Sequence, residues 1–121
     1  MDRSARLCFF VAAFASAGVV AAEPAVDFSR DIQPLLARRC VSCHGPDTQE
    51  AGLRLDDGKA ARAELESGIR AIVPGKPDAS ALLDRVTATD DTRMPPEGAP
   101  LSAAQVEALT EWIKAGAEWQ E

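Results

Sequence analysis

The 121-residue chain has no tyrosine, a single histidine and two tryptophans, and only 5% of its residues are aromatic. Once the first 22 residues are set aside, Phe28, Trp112 and Trp119 are the only rings of benzene or indole type left. A small domain must offset a backbone ordering cost of roughly 1–2 kcal/mol per residue, and large side chains are the usual means. A bound apolar group would supply the missing bulk. Runs of β-branched residues are also scarce, which argues against a sheet-rich fold. Cations are outnumbered, with 13 Lys and Arg against 19 Asp and Glu and a formal net charge of −6. That balance argues against nucleic acid as a partner.

The first 22 residues differ from the rest in composition. Arg3 and Arg6 form a short basic region, and Leu7 to Ala22 is an unbroken run of apolar and small residues ending Val20-Ala21-Ala22. This pattern predicts a secretory signal, residues 1–22, cut before Glu23, with an uncleaved membrane tether as the alternative. Cys8 lies in the run without the small-residue context of a lipoprotein and would be discarded with it. Residues 23–121 then form one domain of 99 residues, and loss of Asp2, Arg3 and Arg6 takes the net charge to −7. Export to a bacterial periplasm is the expected localisation. An acidic surface there keeps the protein soluble, and could also steer a basic partner.

Export leaves two cysteines, and they lie in Cys40-Val41-Ser42-Cys43-His44. Two thiols three residues apart, followed directly by an imidazole, make the attachment signature of a c-type haem. Thiols at this spacing share one side of a helical turn and can reach two vinyl groups along one porphyrin edge. His44 would then supply the fifth ligand of the iron. A structural zinc needs four ligands, and residues 23–121 hold no further Cys or His. A thioredoxin-like redox pair would want flanking strands, whereas the flanks here are rich in alanine and leucine.

Around that motif the periodicity is helical. Phe28, Ile32, Leu35, Leu36 and Cys40 make one face of an amphipathic helix, with Ser29 as its cap, Asp31 at its positive end and Pro34 near its first turn. Gly45-Pro46 ends the pattern, and carbonyls of the loop there are expected to accept the outward N–H of His44. Leu53-Arg54-Leu55 is too short to assign. A helix over Asp57 to Glu66 capped by Asp57, a turn at Pro74-Gly75, and a helix capped by Asp78 with Leu82, Leu83 and Val86 inward come next. The last helix has a capping box, Ser102 with Gln105, a staple of Leu101 on Val106, a stripe of Val106, Leu109, Trp112 and Ile113, and a stop at Gly116. That stripe is expected to pack on the Phe28/Ile32/Leu36 face, bringing the chain ends together across the haem.

Between the last two helices, Thr87 to Pro100 is polar and proline-rich and contains Arg93-Met94-Pro95-Pro96. Proline after Met94 disfavours helical backbone there, so the thioether is expected on an extended, stiffened loop. An isolated methionine more often fills a core gap. Beside a His-ligated haem, however, Met94 is the single methionine of residues 23–121 and is read as the distal ligand, with a lysine, a water or an open site as alternatives.

Taken together, Phe28-x3-Ile32-x-Pro34-x5-Cys40-Val41-Ser42-Cys43-His44-Gly45-Pro46-Asp47, Val73-Pro74-Gly75-Lys76-Pro77, Ser80-x-Leu82-Leu83, Arg93-Met94-Pro95-Pro96, Leu101-Ser102 and Trp112-Ile113-x2-Gly116-Ala117 resemble a class I cytochrome c, and more narrowly a planctomycete-type cytochrome c domain. The resemblance implies a small all-α cytochrome c-like fold of three to five helices around one covalent haem c. It places the haem on Cys40 and Cys43, with the iron between His44 and Met94. It implies an electron carrier serving other redox proteins, with no substrate of its own, either free or as the redox module of a larger exported system with a downstream domain or subunit. Two other functions stay open: a peroxidase-like enzyme or small-ligand sensor with an open or displaceable sixth position, for which Arg93 is the candidate polar group, and a docking module with a structural haem.

Overall fold

The computed structural model describes residues 10–19 and 26–121. The basic pair, Cys8 and the expected cut before Glu23 lie outside the described residues. Residues 10–19 carry no regular secondary structure and are exposed. Among the described residues no helix is long and apolar enough to cross a membrane.

All regular elements among these residues are helical. A π-helical turn at Phe28–Ile32 runs into α1 (Gln33–Arg39), a 3-10 turn follows at Glu50–Gly52, then α2 (Gly58–Ala61), a 3-10 turn at Pro77–Ala79, α3 (Ala81–Thr87) and α4 (Ala103–Lys114). Two isolated β-bridges, His44 with Gln49 and Glu64 with Arg70, close loops.

The first helix starts differently from its expected form. Its cap is Asp27, whose carboxylate accepts from the Arg30 N–H at 2.8 Å, while the Ser29 hydroxyl donates to the Gln120 side chain at 2.8 Å. Asp27 stands immediately before Phe28, the first apolar residue of the inward face, which is the usual position of a cap. The wide turn that follows has a physical reason. Pro34 has no N–H to give and its ring crowds the carbonyl four residues back. The Gln33 N–H instead bonds the Phe28 carbonyl, five residues back, and Pro34 falls in the first turn of α1.

The π turn and α4 form the centre of the core. Phe28, Ile32, Leu35 and Leu36 are buried, as are Leu109, Trp112 and Ile113. Phe28 lies 5.7 Å from Trp112 and 4.7 Å from Trp119, and the two indoles are 5.9 Å apart, measured between ring centroids. The first helical segment and the segment after α4 therefore do meet, and the three rings pack at tilted angles. After Lys114 the chain doubles back: the Ala117 N–H bonds the Trp112 carbonyl and the Trp112 indole N–H bonds the Glu118 carbonyl, both within 2.9 Å. This return brings Trp119 onto Gly58, where a Cβ would lie 2.5 Å from the indole.

The two middle helices are shorter than expected. Asp57 does cap α2, accepting from the Ala60 N–H at 2.8 Å, but the helix ends at Ala61. The Arg62 guanidinium turns back onto the Gly58 carbonyl, and the next residues form a reverse turn in which Leu65 N–H bonds Ile69 and Gly68 N–H bonds Leu65. Asp78 does not cap α3; it lies in the preceding 3-10 turn, and the residue at the cap position is Ser80. Its hydroxyl is fully buried and serves the incoming chain, accepting from the Val73 N–H and donating to the Lys76 carbonyl, both at 2.9 Å. Leu82, Leu83 and Val86 are buried as expected, and α3 packs on α4.

The capping box of α4 is present in both directions, Gln105 N–H to Ser102 Oγ at 3.1 Å and Ser102 N–H to Gln105 Oε1 at 2.9 Å. Ser102→Ala is expected to cost about 1 kcal/mol in a denaturant titration. A second expectation concerns acid. The Arg30 guanidinium, with the Asp27 N–H, holds the Asp31 carboxyl at about 2 against an ordinary 3.8. A carboxyl with a lowered folded-state pKa stabilises fully above its unfolded value and loses that contribution as pH falls through the folded one. Asp31→Asn should therefore flatten the stability curve between pH 3.8 and about 2 and leave its slope above that window unchanged.

Candidate functional site

The end of α1 becomes the site without a break. The Leu36 carbonyl accepts from both Cys40 and Val41 N–H, at 2.9 and 3.0 Å, which closes the helix at Arg39. The Cys40 carbonyl then accepts from Cys43 at 3.2 Å and from His44 at 2.9 Å. The helical pattern was expected to run on to His44; instead one separate turn carries both thiols and the imidazole. Gly45 makes this turn close tightly, since a Cβ there would lie 2.3 Å from the Val41 carbonyl oxygen. Both cysteines are free thiols and half-buried. Burial pushes the Cys40 thiol up to about 11, against the opposing pull of the Arg39 charge.

A loop wraps the imidazole. Gly45 N–H bonds the Thr48 carbonyl at 2.8 Å, Glu50 N–H bonds the Cys43 carbonyl at 3.0 Å, and Leu55 N–H bonds the His44 carbonyl at 2.8 Å. These bonds set the Glu50 carbonyl 3.0 Å from His44 Nδ1. A carbonyl only accepts, so Nδ1 carries the proton and Nε2 holds the lone pair. The expected backbone partner of the ring is thus Glu50.

Met94 lies half-buried in the segment between α3 and α4, which has no regular secondary structure. Its N–H bonds the Arg85 carbonyl at the end of α3, at 2.9 Å, and the Met94–Pro95 bond is cis. Arg93 donates to the carbonyls of Pro95 at 3.3 Å and Gly98 at 3.0 Å, and Arg85 to that of Thr92 at 3.3 Å. Arg39 donates to the Ala99 carbonyl and so joins the end of α1 to this loop. Cys40, Cys43 and His44 are thereby brought together on one turn, and Arg39 links that turn's helix to the Met94 loop by a hydrogen bond. Sequence reasoning passed over Arg39 and Glu50. The need for a donor was readable in kind, since Pro95, Pro96 and Pro100 leave that loop short of N–H groups for its own carbonyls, but the residue that serves it was not.

A cleft of about 620 Å³ between α3 and α4, lined by Val86, Arg93, Leu101 and Val106 among others, shares only Arg93 with this site.

The residues fit a c-type haem. Two reduced thiols on one turn suit thioether bonds, an imidazole with its Nδ1 proton fixed leaves Nε2 for iron, and a half-buried thioether sits on a stiffened loop. Neither the curated proteins nor the solved structures yield a match to this chain. Residues 40–98 match the family described as Planctomycete cytochrome C. The match opens on the first cysteine of the site turn and runs through the Met94 loop, and residues 40–98 of this helical chain are thus similar to a planctomycete-type cytochrome c domain.

Proposed function

We propose that the domain passes single electrons between redox proteins, using a haem c held covalently by Cys40 and Cys43 with His44 and Met94 as axial ligands. The observation that carries this reading is the His44 Nδ1 bond to the Glu50 carbonyl on the same turn as two free thiols. When bound, the haem supplies an iron that takes up and releases one electron between its ferric and ferrous states. His44, held by the Glu50 carbonyl, keeps one tautomer and one ring orientation in both states and is the more basic ligand for it. Met94 offers a soft, neutral sulfur, which favours the ferrous state relative to a second imidazole. Arg93, the candidate for oxygen chemistry, spends its guanidinium on the Pro95 and Gly98 carbonyls, which supports a carrier over an enzyme. Thioether formation requires reduced thiols delivered outside the cytoplasm, so export with removal of residues 1–22 belongs to the same proposal. A net charge of −7 for the remainder suits a basic redox partner.

Spectra of the exported protein test this reading. The expected result is haem that survives a denaturing wash, a mature chain beginning at Glu23, and a low-spin ferric spectrum with the weak far-red sulfur-to-iron band. Met94→Ala is expected to abolish that band and leave the haem attached. Replacing Cys40 and Cys43 together by Ala should make the haem extractable. Absence of covalent haem in the parent protein would overturn the proposal. A high-spin ferric parent that takes up cyanide without displacing sulfur would instead favour a haem enzyme or sensor.

A further inference from the structure

The loop that carries Met94 is held by guanidinium groups. Pro95, Pro96 and Pro100 give no N–H, and four carbonyls between residues 92 and 99 take their donors from arginine: Thr92 from Arg85, Pro95 and Gly98 from Arg93, and Ala99 from Arg39. Arg85 belongs to α3 and Arg93 to the loop itself, so their bonds move with the loop or with the helix leading into it. Arg39 is different. It is the last residue of α1, one position before Cys40, and it reaches across to the far end of the loop.

We infer that Arg39 is a positioning residue that holds the Met94 loop closed against the cysteine–histidine turn. The inference rests on the His/Met reading above and adds to it a residue that sets how firmly the sulfur is held. Swinging the loop away must break the Arg39 bond to the Ala99 carbonyl, whereas the Arg93 bonds travel with it. A charge-assisted bond of this kind is the stronger sort, and its loss raises the fraction of molecules with the loop open. An added ligand that competes with Met94 binds only that open fraction, so its apparent affinity reports the fraction directly.

The test uses the haem-loaded protein and imidazole as the competing ligand. Arg39→Gln is expected to bind imidazole about tenfold more tightly than the parent, with the far-red band still present before titration. The Met94 amide, bonded to Arg85, should exchange with solvent about tenfold faster, while amides of α4 keep parental rates. Arg38→Gln removes the same charge from the same helix end, where Arg38 is exposed, and should match the parent in both measurements. Arg39→Lys keeps the charge and a single donor and is expected midway. It carries the test if Arg39→Gln does not load haem, and imidazole binding equal to the parent's would then overturn the inference. So would parental binding in Arg39→Gln, or an equal shift in Arg38→Gln. A parent without the far-red band overturns the His/Met reading itself, and it does so before any variant is compared.

Discussion

The crossing of the first helical segment over α4 is the constraint on which the rest of the structure depends. Phe28, Ile32 and Leu36 on one side and Leu109, Trp112 and Ile113 on the other are all buried, and they seat α1 at a fixed height and rotation. The site turn leaves α1 through the Leu36 carbonyl, so the direction in which the two sulfurs face is set by that seating. The same crossing anchors α4, whose start is the end of the Met94 loop. One packed seam therefore fixes both halves of the site, although it contains none of the four ligand candidates.

The halves are built by different means. The cysteine–histidine side is shaped by the backbone: carbonyls of Leu36, Cys40, Cys43, His44 and Thr48 all accept from nearby amides, and the histidine ring is aimed by one more carbonyl, that of Glu50. Such a unit depends little on the side chains between Gly45 and Glu50, provided Gly45 keeps its close approach to Val41. The methionine side has too few amide donors to close on itself. Its carbonyls are served by arginines, and its geometry follows from where those arginines are rooted.

This difference explains what could be read from the sequence. The ligand candidates and the caps at Ser102 and Asp57 rest on local spacing, and a 3.6-residue period betrays the buried stripes of α4 and of the first helix. The backbone partner of His44 was legible in kind, because a carbonyl is what a loop wrapped around an imidazole offers, but not by residue. Asp27 caps in place of Ser29 because the helical turn begins earlier than expected, at Phe28, which leaves Ser29 inside the turn with its hydroxyl on Gln120, some ninety positions away. Asp78 lost its role because the buried Ser80 hydroxyl organises the turn before α3. Arg39 belongs to the same class: its partner is a backbone carbonyl sixty residues on, and a carbonyl leaves no mark in a sequence.

Trp112 and Trp119 are the chain's only indoles, and both lie at the seam where the two ends meet. In the haem-free chain, intrinsic fluorescence is consequently a local gauge of whether the first helical segment and the segment after α4 are joined. Under the proposed haem reading there are two separate optical reporters: emission of the haem-free chain for the seam, and visible absorption of the haem-loaded protein for the axial positions of the iron.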